Sequence, residues 1–219
     1  MKNKELKLGF LFILSFIIWT ISLLMIDVKP LGVNQTHIGL STMNVLFHQL
    51  TGTNMFLYIL TDWLGLIPVF ICICFGLFGC FQLIKRRSLV KVDYDLIVLG
   101  VYYIIVILSY LLFEKLPINY RPILIDGRME VSYPSSTTLL VLSVMLSLYE
   151  QVNRRVVNIQ SKNIINICIV IFTVFMIGGR LLSGVHWLSD IIGSIFISLG
   201  YFFLYKGVLQ WNFMKNFKN

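Results

Sequence analysis

The sequence predicts an all-α protein, a bundle of six transmembrane helices. Three observations lead there. The composition is 58% hydrophobic against 13% charged, with a mean hydropathy of +0.85. Six apolar blocks approach the roughly 20 residues that a helix needs to cross about 30 Å of hydrocarbon. The basic residues are shared unevenly between the segments joining those blocks. A soluble fold of 219 residues does not carry such a composition, and the chain reads as one integral membrane domain, 1–219.

The first block, residues 8–26, follows Lys2, Lys4 and Lys7. A cleaved signal peptide starts the same way, but this run is too long and lacks a small-residue cleavage site, so a retained helix is expected. The second block covers 55–84 and the third 96–113. The fourth, 137–149, and the fifth, 164–178, are short and are expected to run on into 150–157 and Arg180; the sixth covers 187–205. Two sizeable segments, 27–54 and 114–136, remain outside. Cys72, Cys74, Cys80 and Cys168 all lie within blocks, and the Cys72/Cys74 spacing does not suit two ligands on one helical face, so packing is the expected role. Trp19, Trp63, Trp187 and Trp211 read as interfacial anchors.

Charge sets the orientation. With six spans, Lys2, Lys4, Lys7, Lys85, Arg86, Arg87, Lys91, Arg154, Arg155, Lys162, Lys206, Lys215 and Lys218 fall on one side. Lys29, Lys115, Arg121, Arg128 and Arg180 fall on the other, so the 18 basic residues divide 13 to 5. That asymmetry predicts cytoplasmic termini. The net charge of +8 is then accounted for by topology and anionic headgroups, and no nucleic-acid partner is needed.

The basic residues on the minority side are clustered, which calls for an anionic partner. "EKLPINYRPILIDGRME" (114–130) places Lys115, Arg121 and Arg128 on a loop stiffened by Pro117 and Pro122. Their plain alternative is a solvated loop balanced by Glu114, Asp126 and Glu130. "SYPSSTTLL" (132–140) leads into the fourth helix, where Ser135 or Ser136 is a ready N-cap and the helix end can also hold phosphate. In "GRLLSGVHWLSD" (179–190), a helix through His186 and Asp190 puts the two on one face, with Arg180 in the turn before it. The carboxylate would orient one imidazole nitrogen and leave the other free as base or nucleophile. His37, His48 and His186 are the only histidines, and no zinc-type spacing is present, so neither metal nor cofactor is expected.

Taken together, "YRP", "YPSSTT" and "GRLLSGVHWLSD" resemble the three signature motifs of the type 2 phosphatidic acid phosphatase superfamily, which includes six-helix membrane lipid phosphatases. The family pattern is Lys, six residues, Arg-Pro; then Pro-Ser-Gly-His; then Ser-Arg, five residues, His, three residues, Asp. The resemblance covers about 115–190 and implies that His186 is a nucleophile forming a phosphohistidine, with Asp190 orienting it. It also implies that Lys115, Arg121, Arg180 and the Ser135, Ser136, Thr137 stretch bind phosphate, with no metal. Phosphoryl transfer asks mainly for positioning and charge stabilisation, which these residue types supply.

Three departures stand out. Lys115 has five residues before Arg121, and Glu114 occupies the family spacing; Gly179 replaces the usual Ser; and Thr137 replaces the His that would protonate the leaving group. Losing such an acid costs about 10²- to 10⁴-fold in rate. A diphosphate releases an already stabilised phosphate and feels the loss least. The expected substrate is therefore a phosphorylated membrane lipid, preferentially an isoprenoid diphosphate of the undecaprenyl kind, cleaved at the extracytoplasmic face of a bacterial plasma membrane in carrier-lipid recycling. His48 is an alternative acid. The rival readings are a noncatalytic lipid-phosphate binder or carrier and, more weakly, a phosphatidyl-group transferase.

Overall fold

The computed structural model describes residues 4–31 and 33–216, with side chains described as far as Gln210 apart from Asn34. Lys2, Lys218 and the side chains of Trp211 and Lys215 therefore lie outside the described residues. The described residues form eight α-helices: α1 (Lys4–Met25), α2 (Ser41–Thr51), α3 (Met55–Leu64), α4 (Leu66–Arg86), α5 (Tyr94–Lys115), α6 (Ser136–Arg155), α7 (Ile159–Leu182) and α8 (Leu188–Asn216). A two-residue antiparallel pair, β1 (Lys29–Pro30) with β2 (His37–Ile38), precedes α2. Among the described residues, five segments are long and apolar enough to cross a membrane: α1, α3 with α4, α5, α7, and α8 as far as Gln210.

The 55–84 block, expected as one span, is interrupted at Gly65. Pro68 supplies the reason. It has no N–H, and in a continuous helix its ring would press on the carbonyl four residues back, that of Leu64. Gly65 closes α3 by donating to the Thr61 and Asp62 carbonyls, and α4 starts afresh.

The fourth block, α6, is not among the five because its many polar residues make it less apolar than the others. It buries Leu139, Val141, Leu142, Val144 and Met145 together with Thr138, Ser143, Ser147 and Gln151. Its polar groups are met by neighbours: the Tyr102 hydroxyl donates to the Ser143 carbonyl at 3.0 Å, Tyr103 and Ser147 hydroxyls pair at 3.1 Å, and Gln151 donates to Tyr205 at 2.8 Å. A helix whose polar side chains face protein partners can carry them without an unsatisfied donor in hydrocarbon. The apolar signal is weakest where burial by protein is greatest.

Helix α1 packs along α8, where glycines allow close approach. A Cβ at Gly200 would lie 2.6 Å from the Ile13 side chain, and one at Gly207 would lie 2.6 Å from Leu6. The four cysteines are free; Cys74, Cys80 and Cys168 are exposed on the outer faces of α4 and α7 and do not pack inside the bundle. At one end of the bundle, ion pairs join α4, α5 and α6: Arg86–Asp93 at 2.7 Å and Arg155–Asp95 at 2.5 Å. The clustered residues of the three sequence motifs lie at the other end.

Candidate active site

A cavity of about 880 Å³ opens among α3, α5, the 116–135 loop, the start of α6, the end of α7 and the α7–α8 turn. Tyr58, Asp62, Arg121, Thr137, Arg180 and His186 all line it.

The loop is held by its own backbone. Tyr120 pairs with Val131, Arg121 N–H donates to the Glu130 carbonyl at 3.0 Å, and Ser132 N–H donates to the Asn119 carbonyl at 2.9 Å. These bonds turn the Arg121 side chain inward, where it is buried beside the Tyr58 ring, 5.6 Å from its centroid. Arg121 Nε lies 3.0 Å from Glu130 Oε2 without the alignment of a hydrogen bond, and its buried Nη1 has no partner. Arg180 sits in the last turn of α7, not in the following turn as the sequence suggested. It is 1% exposed, packs 4.9 Å from the same Tyr58 ring, and leaves Nε and Nη1 without hydrogen-bond partners. Two desolvated guanidinium groups with spare donors make an anion site.

The α7–α8 turn is shaped by Gly184, whose φ is +67° and whose Cβ, were there one, would run into the Gly52 carbonyl. From α2, Asn44 accepts from Ser189 N–H at 3.0 Å and donates to its hydroxyl at 2.9 Å, pinning the start of α8. His186 precedes that start, so it and Asp190 do not share a helical face. They meet through the helix end instead. Asp190 stands in the first turn, and its Oδ2 accepts the Trp187 N–H at 3.0 Å, the return half of a capping box. The same oxygen lies 3.6 Å from His186 Nδ1.

Arg180 Nη2 lies 3.3 Å from His186 Nε2. A guanidinium only donates, so Nε2 must offer its lone pair and the proton sits on Nδ1, towards Asp190. Burial, and then the positive charges of Arg121 and Arg180, push the His186 imidazole well below its usual range, with the Ser132 backbone opposing. His186 is thereby kept neutral with its free nitrogen beside the arginines, the form a nucleophile requires.

Other expected residues lie differently. Lys115 is exposed at the end of α5 and does not line the cavity, whereas Glu114 does. Ser136 and Thr137 line it, but Ser135 is buried behind them. Ser135 holds the N-cap position of α6 without capping it: its hydroxyl pairs with that of Thr138 at 3.1 Å, leaving the first-turn N–H groups without a side-chain cap. His48 packs against the Trp187 ring, centroids 5.6 Å apart, and does not line the cavity. Trp187 is no interfacial anchor; it is buried and donates to the Tyr120 carbonyl at 2.7 Å. Trp63 is exposed, and Trp19 donates to the Ser189 carbonyl at 3.1 Å.

Sequence reasoning missed three residues. Asn119, 1% exposed, donates to Asp190 Oδ1 at 3.3 Å, so both carboxylate oxygens are held. Tyr58 stacks against both arginines. Asp62, 3.6 Å from Arg180 Nη1, is the one acid in an otherwise apolar block, a signal of function that was there to be read.

Gly179 also finds its reason here. A Cβ would stand 2.7 Å from the Thr61 Cγ2 methyl. Gly179→Ser is expected to cost about 1–3 kcal/mol of stability through overpacking. Pairing it with Thr61→Ser, which removes that methyl, should recover most of the loss in thermal unfolding of the detergent-solubilised protein.

The fold and site define an integral membrane protein whose helices frame a histidine, a carboxylate and two arginines around a cavity suited to phosphate. A family model for the PAP2 superfamily matches residues 96–214, just over half of the sequence. The chain belongs to that superfamily and is a hydrolase of the phosphatase type. Its fold is similar to the crystal structure of the first transmembrane PAP2-type phosphatidylglycerolphosphate phosphatase from Bacillus subtilis. The TM-score is 0.64 at 16% identity over 93% of this chain and 96% of that one. No curated protein matches the sequence.

Proposed function

We propose that this protein is a lipid phosphatase that cleaves a phosphorylated membrane lipid through a phosphohistidine at His186. The observation that carries the reading is the His186 Nε2 at the cavity wall 3.3 Å from Arg180 Nη2, with Arg121 and its unpartnered nitrogen lining the same cavity. Arg121, Arg180, Ser136 and Thr137 hold the phosphate, and Asp190 supports the charge that His186 gains on phosphorylation. An intact, polarised histidine argues for catalysis over passive binding or carriage, since binding needs no nucleophile.

Within that reading an isoprenoid diphosphate is the preferred substrate. Thr137 lines the cavity where the motif places an acid, and a hydroxyl cannot protonate an alkoxide near neutral pH. A departing phosphate needs no such help. Helix α6 serves as a sixth crossing in one membrane domain, and the 13-to-5 division of basic residues supports cytoplasmic termini with the cavity on the extracytoplasmic side. Recycling of a carrier lipid in the bacterial cell envelope follows from that placement.

The test offers purified protein undecaprenyl diphosphate, phosphatidylglycerol phosphate and phosphatidic acid at matched concentrations. Phosphate release is expected to be fastest from the diphosphate, by about 10²-fold or more over the monoesters. Faster release from either monoester removes the diphosphate preference, and no release from any removes the enzyme.

A further inference from the structure

A diphosphate substrate excuses the missing acid in the first chemical step, but not in the second. Hydrolysing a phosphohistidine requires water to attack phosphorus while losing a proton, and Thr137 cannot take that proton. We propose that Asp62 is the general base for this step.

The geometry assembles around one guanidinium. Arg180 Nη2 lies 3.3 Å from His186 Nε2, the phosphorylated atom, while Nη1 of the same planar group lies 3.6 Å from Asp62 Oδ1. Nucleophile and carboxylate thus flank one edge of the residue that holds the phosphoryl group. Asp62 also stands on the Thr137 side of the cavity. It is one turn before Gly65 on α3, and a Cβ on Gly65 would lie 3.5 Å from Thr137 Cγ2. The carboxylate therefore approaches from the wall that carries the motif's acid position. Its side chain is 60% exposed, against 1% for Arg180, and it lines the cavity from which a water would come.

In the step itself, the water oxygen forms a bond to phosphorus as the P–Nε2 bond breaks and its electron pair returns to the imidazole. One water proton passes to the Asp62 carboxylate, and the other leaves with the phosphate. Asp62 then gives its proton to solvent through its exposed side. The ion pair with Arg180 fixes the direction of the carboxylate, and on phosphorylation Nη2 gives up the Nε2 lone pair and turns to a phosphoryl oxygen.

This inference rests on the phosphohistidine reading, and the experiment separates the two. Asp62→Asn is mixed with undecaprenyl diphosphate under rapid-quench conditions, and both released phosphate and histidine-bound phosphate are followed against wild type. Undecaprenyl phosphate, followed in the same samples, is expected in a burst of about one per site with no matching burst of inorganic phosphate, then turnover slowed about 10²- to 10⁴-fold, with phosphohistidine accumulating. Asp62→Glu should restore turnover and abolish the accumulation. If Asp62→Asn turns over at the wild-type rate, or slows with no burst, Asp62 is only a partner for Arg180 and the inference fails. If wild type releases phosphate with no histidine-bound phosphate at any time, the covalent reading falls and takes the base with it.

Discussion

His186→Ala lowers phosphate release at least about 10⁴-fold and leaves no phosphate on the protein, as expected when a covalent nucleophile is removed from a site whose other members act with it. The effect is large because nothing else near Arg180 can substitute: His48 packs on the far-reaching indole of Trp187 and does not line the cavity, and His37 lies in the β1–β2 pair. The change should be silent in the fold. His186 has an unbonded Nδ1 and one 3.3 Å contact, and the turn around it is held by Gly184, Ser183 and Trp187 backbone groups. Far-ultraviolet circular dichroism and the unfolding temperature report that directly, alongside labelling with radioactive lipid diphosphate. Residual activity of a few per cent in a folded variant would show that water attacks the lipid directly.

Arg180→Gln is expected to reduce kcat/KM by about 10²- to 10³-fold, the usual scale for removing one fixed donor to a developing oxyanion. Arg180 is the larger loss of the two arginines because it joins His186, Asp62 and Tyr58 at once. Lysine should not rescue it: a single ammonium cannot face both neighbours in the plane that a guanidinium provides. A second readout follows from the sign of the electrostatics. Burial and then the charges of Arg121 and Arg180 hold the His186 imidazole below its usual range, which favours its neutral form. With that charge gone the imidazole binds a proton more readily, and the acid limb of the kcat/KM profile moves to higher pH. A uniform drop at every pH, with the limb unmoved, would place Arg180 away from the nucleophile.

The parts of this molecule that could be read from sequence are those whose information is local. The run from Arg180 to Asp190 carries its spacing in twelve residues, and the apolar blocks announce themselves by length. What could not be read depends on partners far along the chain. His186 and Asp190 are separated by the distance of a helical turn, yet they meet because the aspartate reaches back to the Trp187 N–H, and the spacing alone does not distinguish the two arrangements. Gly179 is a departure explained by Thr61, more than a hundred residues away in sequence. The break at Gly65 hid Asp62 inside what reads as lipid-facing helix, and Asn119 carries no motif of its own while holding the Asp190 carboxylate. Helix α6 was the shortest block because its protein-facing polar residues, Thr138, Ser143, Ser147 and Gln151, dilute its apolar signal.

The pairing of α1 with α8 has a bearing on how the protein is made. Trp19 of α1 donates to the Ser189 carbonyl, and the Thr20 hydroxyl pairs with that of Tyr133 at 2.7 Å, so α1 braces the floor of the pocket. Of the described helices, α1 is made before the other seven and α8 after them. Until α8 has been made, α1 waits in the bilayer without its packing partner, and the pocket waits without that brace.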